Sequence, residues 1–222
     1  MKVVCFDLDD TLCKEIDYLE SAYRDIARYA TIIAGKDNTV VNEVYSIMLE
    51  TYKQGGNAFD SLNVYLGLSL PIAEYLDIYR SHQPEIKITA AVARTLSELK
   101  SRDCILGLIT DGRSAQQRSK IKALELSSWF EPNDIIISDE FGSEKPSLSN
   151  YEYFMKHYPG ATYMYVGDNP KKDFVGANIL GWSTICLLDD GRNIHKQDFD
   201  VSLQYRPQMI ISDIVEILNI VK

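Results

Sequence analysis

Six short apolar runs, spaced by helical patterns, constrain what this chain can fold into more than any other feature. They cover residues 3–6, 104–110, 134–138, 163–166, 184–188 and 209–211. Runs of this length and hydrophobicity fit strands buried on both faces of a parallel sheet. Between them, Val92, Leu96 and Leu99 mark one face of a helix, and Ile121, Leu124 and Leu126 mark another. Asn169-Pro170 reads as a helix start, an N-cap followed by proline at the first helical position, with Gly181 as its stop. The β-then-α alternation predicts an α/β fold, a doubly wound, Rossmann-like parallel sheet.

One stretch breaks the alternation. Residues 15–83 carry no strand pattern. Residues 15–34 and 38–54 read as two longer helices, Gly55-Gly56 interrupts, and shorter helices follow at 59–66 and 72–81 before Pro84. The expected organisation is therefore a core domain made of 1–14 and 84–222, with a helical domain of 15–83 inserted after the first strand. Such an insert leaves the chain at the carboxyl edge of the sheet.

Composition narrows the partners. The chain has 222 residues, 45% hydrophobic and 25% charged, with a net charge of -9. That balance disfavours a nucleic-acid polymer, whose binding needs clustered Lys and Arg. It leaves open a small anion held by local donors and a metal. Met1-Lys2 leads straight into an apolar run and then carboxylates, which is not the shape of a secretory signal. No run approaches the roughly 18 apolar residues of a membrane span. Cys5, Cys13, Cys104 and Cys186 are scattered without metal-type pairing. A cytoplasmic protein, monomer or homodimer, with no membrane partner is the expectation.

The first strand runs into Asp7-Leu8-Asp9-Asp10-Thr11-Leu12. A solvated turn would explain the acids, but their spacing suggests more. Asp7 and Asp9, two apart in extended chain, face one side, and the carboxyl end of a parallel strand opens onto the ligand crevice. Like charges so close push their pKa values apart unless a cation intervenes. A divalent metal would keep one acid ionised as ligand and nucleophile, while the other carried a proton.

With the residues before it, Phe6-Asp7-Leu8-Asp9-Asp10-Thr11-Leu12 resembles the first motif of the haloacid-dehalogenase-like hydrolase superfamily. Three more of its motifs follow in order: Leu108-Ile109-Thr110-Asp111-Gly112, Lys145-Pro146, and Val166-Gly167-Asp168-Asn169-Pro170-Lys171-Lys172-Asp173. The likeness spans about residues 1–188, and the helical insert matches the family's helical-cap subclass. It implies a phosphatase with a phospho-aspartate intermediate and a Mg2+ cofactor. In that reading Asp7 is the nucleophile and Asp9 the general acid and base. Thr110 and Lys145 bind the phosphoryl group, and Asp7, the Asp9 main-chain carbonyl and Asp168 hold the metal, with Asp173 direct or through water.

Elementary chemistry is consistent with that set. Phosphoryl transfer needs charge stabilisation on the equatorial oxygens. Thr110 offers a hydroxyl and Lys145 an ammonium, and the backbone N–H groups of Asp111 and Gly112 would add an anion nest. Hard oxygen donors suit magnesium rather than zinc. His82, His157 and His195 are isolated, and Asp189-Asp190-Gly191 reads as a turn. Lys14, Glu15 and Tyr18 are the cap-side candidates for substrate contact; the cap's other tyrosines are expected in its core. The expected substrate is a small phosphorylated metabolite, a sugar phosphate or nucleoside monophosphate. A sugar-phosphate mutase, a dehalogenase, a phosphonate-cleaving enzyme and a non-catalytic phosphate-binding module are the alternatives. A dehalogenase would not need an acid at Asp9.

Overall fold

The computed structural model describes residues 1–221. In chain order its elements are β1 (Lys2–Phe6), α1 (Glu15–Ile33), α2 (Val41–Lys53), α3 (Ala58–Leu66), α4 (Ile72–Ser81), α5 (Ala90–Ser101), β2 (Cys104–Thr110), α6 (Ser114–Ala123), β3 (Ile135–Ile137), α7 (Ser138–Phe141), α8 (Ser149–His157), β4 (Thr162–Gly167), α9 (Val175–Ile179), β5 (Ser183–Leu187), β6 (Met209–Ile211) and α10 (Ile217–Ile220). Two compact units result: Met1–Ile16 with Lys87–Lys222, and Asp17–Ile86. The helical unit is thus offset by a few residues from the expected 15–83. Two hydrogen bonds account for the offset. The Asp10 carboxylate accepts the Glu15 N–H, tying the start of α1 to the first motif. The Glu85 N–H donates to Ser21 Oγ, tying the last residues of the helical unit to α1.

The sheet of the α/β unit has six parallel strands in the order β3-β2-β1-β4-β5-β6. Its central register sets the site. Phe6 lies opposite Leu108 on one side and Val166 on the other. Asp7, Thr110 and Asp168 therefore leave three adjacent strands at the same carboxyl edge. Val3, Cys5, Ile109, Tyr165 and Cys186 bury against Tyr151, Phe154, Phe174 and Trp182. Gly107 lets α8 come this close: a Cβ there would lie 2.5 Å from Cys5 Sγ and 2.6 Å from the Phe154 ring.

The helical unit is built differently. Its core is Tyr18, Ala22, Tyr23, Ile26, Val44, Met48, Leu62 and Tyr75. Asn57 caps α3 by accepting the Phe59 and Asp60 N–H groups, and Gly67 ends it in the left-handed conformation. Aromatic edges link Tyr23 to Tyr52 and Phe59, while Phe59 stacks on Tyr75.

The helix expected to begin at Asn169-Pro170 becomes regular only at Val175. Asn169 does accept the Lys171 N–H with its side chain. The Asp173 carboxylate, however, turns back to accept the N–H groups of Asp168 and Asn169. That competition holds 170–174 in turns.

Candidate active site

One oxygen each from Asp7, Asp168 and Asp173 lies within 4.8 Å of the others, and all three residues are buried. Lys145 binds this group together. Its Nζ donates to Asp7 Oδ1 at 2.7 Å, to Asp173 Oδ1 at 2.8 Å and to Tyr165 Oη at 3.1 Å, which uses all three ammonium hydrogens. The Lys145 side chain is 0% exposed. Gly167 makes room for the arrangement, because a Cβ there would meet Asp173 Oδ2 at 2.6 Å. Asp168 is fixed from the loop after β5, where Asn193 Nδ2 donates to its Oδ2 at 3.0 Å. Gln197 Nε2 donates to its carbonyl.

Burial sets the electrostatics. It pushes the Asp7 carboxyl up to about 6, against the opposing pull of Lys145 and with further push from Asp173. Asp168 rises to about 8, through burial and then the charges of Asp173 and Asp7. Burial disfavours the Lys145 ammonium, but Asp173 and Asp7 outweigh it and hold its pKa well above the usual lysine value. One fully buried ammonium, with the half-exposed Lys172 adding positive charge from further off, thus faces three buried carboxylates. A hard divalent cation with oxygen ligands fits that donor set. Asp7 and Asp168 have oxygens to offer such an ion. Asp173 has its oxygens engaged by Lys145 and two backbone N–H groups, which suits a contact through water.

Asp9 points elsewhere. Its Oδ1 accepts from Lys120 Nζ at 2.6 Å and its Oδ2 from Gln117 Nε2 at 2.9 Å. The same Gln117 amide donates to Thr110 Oγ1 at 2.8 Å and to the Asp111 carbonyl at 2.7 Å. The two amide hydrogens of Gln117 are thus shared among three acceptors, Asp9 Oδ2, Thr110 Oγ1 and the Asp111 carbonyl.

Several residues sit otherwise than the sequence suggests. The Gly112 N–H donates to Ser138 Oγ at 3.0 Å, so it does not contribute to an anion nest. Asp111 turns its carboxylate to the Lys145 N–H, positioning that lysine's backbone. Lys14 donates to Asn193 Oδ1 at 2.7 Å and pairs with Asp190 at 2.9 Å, which anchors the loop after β5. Tyr18, in the helical unit, donates its hydroxyl to the Tyr79 carbonyl and packs on His82. Asp10, passed over in the motif, is buried with φ 56° and accepts the N–H groups of Glu15 and Ile194.

Gln117 and Lys120 escaped the sequence reading, although the pattern held them. Stepping back from Ile121 and Leu124 by one helical turn lands on both. A lysine on the apolar face of a helix is the signal. Asn193 and Gln197 carry no such periodicity and reach Asp168 only through tertiary folding.

The family model for haloacid dehalogenase-like hydrolases matches residues 4–187. A glyceraldehyde 3-phosphate phosphatase of Methanocaldococcus jannaschii is 30% identical over 100% of this chain and 97% of its own. Among solved structures, a HAD hydrolase of Bacillus subtilis, YfnB, bound to magnesium, superposes with a TM-score of 0.66 at 18% identity, covering 100% and 98% of the two chains. A 2-haloacid dehalogenase from Pseudomonas syringae gives a TM-score of 0.61 at 20% identity, again over 100% and 98%. At such identities the two structures speak for the fold and not for one chemistry. With four ordered motifs meeting at one sheet edge and a family match over most of its length, the chain belongs to the haloacid dehalogenase-like hydrolases.

Proposed function

We propose that this chain is a magnesium-dependent phosphatase of small sugar phosphates, working through a phospho-Asp7 intermediate, with glyceraldehyde 3-phosphate the first substrate to try. The observation that carries the reading is the buried Asp7–Lys145–Asp173 group, with Asp168 beside it and Thr110 on the neighbouring strand. The relative at 30% identity over the full chain supports the substrate class. Four free cysteines support a reducing, cytoplasmic setting.

The residues divide the work as follows. An Asp7 oxygen attacks phosphorus, and the ester oxygen leaves with a proton from Asp9. Lys145 Nζ and Thr110 Oγ1 stabilise the charge that spreads over the phosphoryl oxygens. Water then attacks the acyl phosphate, giving its proton to Asp9 and returning the electron pair to Asp7. Asp7, Asp168 and the Asp9 main-chain carbonyl would hold magnesium, with Asp173 through water. When bound, the ion neutralises phosphoryl charge and aligns the ester with Asp7. Dehalogenation would leave Asp9 idle, despite the two donors that engage its oxygens.

The test is a panel of glyceraldehyde 3-phosphate, other sugar phosphates and nucleoside monophosphates with Mg2+, read as phosphate release. A triose phosphate should lead, and a nucleotide well ahead of it would move the substrate class. Asp7→Asn should lower turnover by more than about 1,000-fold. Residual activity above that level in a folded variant would remove Asp7 as nucleophile.

A further inference from the structure

Lys120 is the unexplained expense of the α/β unit. It lies on α6, is 1% exposed, and carries a charge where a methionine of similar length would fill the same space. Burying an ammonium costs several kcal/mol, and an ion pair commonly returns no more than a hydrophobic replacement would. Packing therefore does not explain it. Its Nζ is 2.6 Å from Asp9 Oδ1, while Gln117, three residues earlier on the same face and 2% exposed, donates to Asp9 Oδ2 at 2.9 Å. Both oxygens of Asp9 are acceptors, and each donor stands on a rigid helix. The two contacts hold the Asp9 carboxylate ionised and in one orientation.

We infer that Lys120 and Gln117 are positioning residues that hold the Asp9 carboxylate as the base of the second half-reaction. In that step water oxygen bonds to phosphorus and the bond from phosphorus to the Asp7 oxygen breaks. The electron pair returns to Asp7, the water proton goes to Asp9, and inorganic phosphate leaves. The proton on Asp9 serves the departing ester oxygen of the next turnover. Gln117 also ties the step to phosphoryl binding, because its amide is shared between Asp9 and Thr110 Oγ1. The inference rests on the phospho-Asp7 reading above.

The test uses the full chain with Mg2+ and 4-nitrophenyl phosphate, whose leaving group needs no acid. For this ester kcat/KM reports the attack of Asp7, and kcat reports breakdown of the phosphoenzyme where that step is slow. Lys120→Met should lower kcat about 10- to 100-fold, less than the full contribution of general base catalysis because Asp9 itself remains. It should leave kcat/KM within about threefold, since P–O(Asp7) bond formation does not use the pair. Acid-quenched protein should carry more phosphate on Asp7, and thermal stability should hold or rise. Gln117→Leu, a second variant on the same face, should show the fall in kcat together with a smaller fall in kcat/KM, because it also releases Thr110 Oγ1. Added to Asp9→Asn, Lys120→Met should change kcat by less than about threefold, because the two act as a unit. Parallel falls in kcat and kcat/KM with lost stability would make Lys120 a structural residue and overturn the inference, as would an unchanged kcat. An Asp9→Asn chain with full kcat would sink the role of Asp9 itself, and with it this one.

Discussion

The two compact units spend their interiors differently. The helical unit buries aromatic and aliphatic side chains, and besides its tyrosines its buried polar residues are Ser21, Thr31 and His82. The α/β unit buries Asp7, Asp10, Asp134, Asp168, Asp173, Lys120 and Lys145. Among the described residues every buried carboxylate and ammonium belongs to it. The two fully buried tyrosine hydroxyls of the helical unit meet neutral groups, Tyr18 the Tyr79 carbonyl and Tyr75 Asn63 Oδ1, while the charged partners of its other tyrosines, such as Glu74 against Tyr29, stay outside the core. Such contacts are satisfied locally and tolerate change. Buried charges are satisfied only together, so one substitution strands several partners. A core that keeps charge at this cost is organised for chemistry, and one that keeps aromatic edges is organised for shape.

Lys145→Met puts the largest strain on this contrast. Asp7 and Asp173 would stay buried, with side chains 5% and 0% exposed, and without their cation. Breaking a buried pair in this way costs about 3–5 kcal/mol, measurable by urea unfolding of the metal-free protein at pH 7. Phosphate release should fall at least about 100-fold, the usual effect of removing one donor to a charged transition state. A stability loss under about 1 kcal/mol would mean that the site behaves as solvated surface. Lys120 makes the internal control, because its partner Asp9 keeps 19% exposure and can be hydrated when the ammonium goes.

Metal and pH sharpen the same contrast at a smaller scale. Asp7 and Asp168 are raised from 3.8 to about 6 and about 8. Between roughly pH 4 and 8 the folded metal-free chain binds protons that the unfolded chain has lost, so its stability falls as pH rises through that window. Magnesium competes with those protons and should stabilise more at pH 8 than at pH 5. At a hundredfold excess over Kd the gain would be about 2.7 kcal/mol, read as a shift in Tm. An equal shift at both pH values would show that the ion sits away from Asp7 and Asp168. The helical unit buries no carboxylate, so nothing in its core should follow this dependence.

How much of this was legible beforehand depends on the range of each signal. The strands were legible because burial on both faces writes an unbroken apolar run, as in 104–110. The motif acids were legible because charge beside such a run is expensive. Gln117 and Lys120 stood in a readable helical pattern, but a lysine is by default read as surface, and only the partner across the site reverses that default. The delay of α9 was hidden for a related reason. Asp173 competes for backbone N–H groups only because Lys145 draws it into the cluster. Ser138 takes the Gly112 N–H across two strand ends, and Asn193 reaches Asp168 from 25 residues on. Local propensity encodes neither contact. Asp10 was passed over because the two acids before it, Asp7 and Asp9, explained the motif without it.

Tyr75→Phe asks whether the helical unit is as forgiving as the contrast requires. Tyr75 is fully buried, stacks on Phe59, and donates to Asn63 Oδ1 at 2.7 Å. Asn63 in turn holds the Leu70 carbonyl through its Nδ2 at 2.9 Å, which fixes the turn before α4. Phenylalanine keeps the ring and the stacking and removes only the hydroxyl. Asn63 loses one donor and keeps its bond to Leu70, so the cost should be that of a single neutral hydrogen bond, about 1 kcal/mol. Urea unfolding measures it, and kcat/KM should stay within about twofold. A loss as large as that of Lys145→Met would mean that the Tyr75–Asn63–Leu70 chain is a cooperative polar network, and the two interiors would then differ in charge but not in principle.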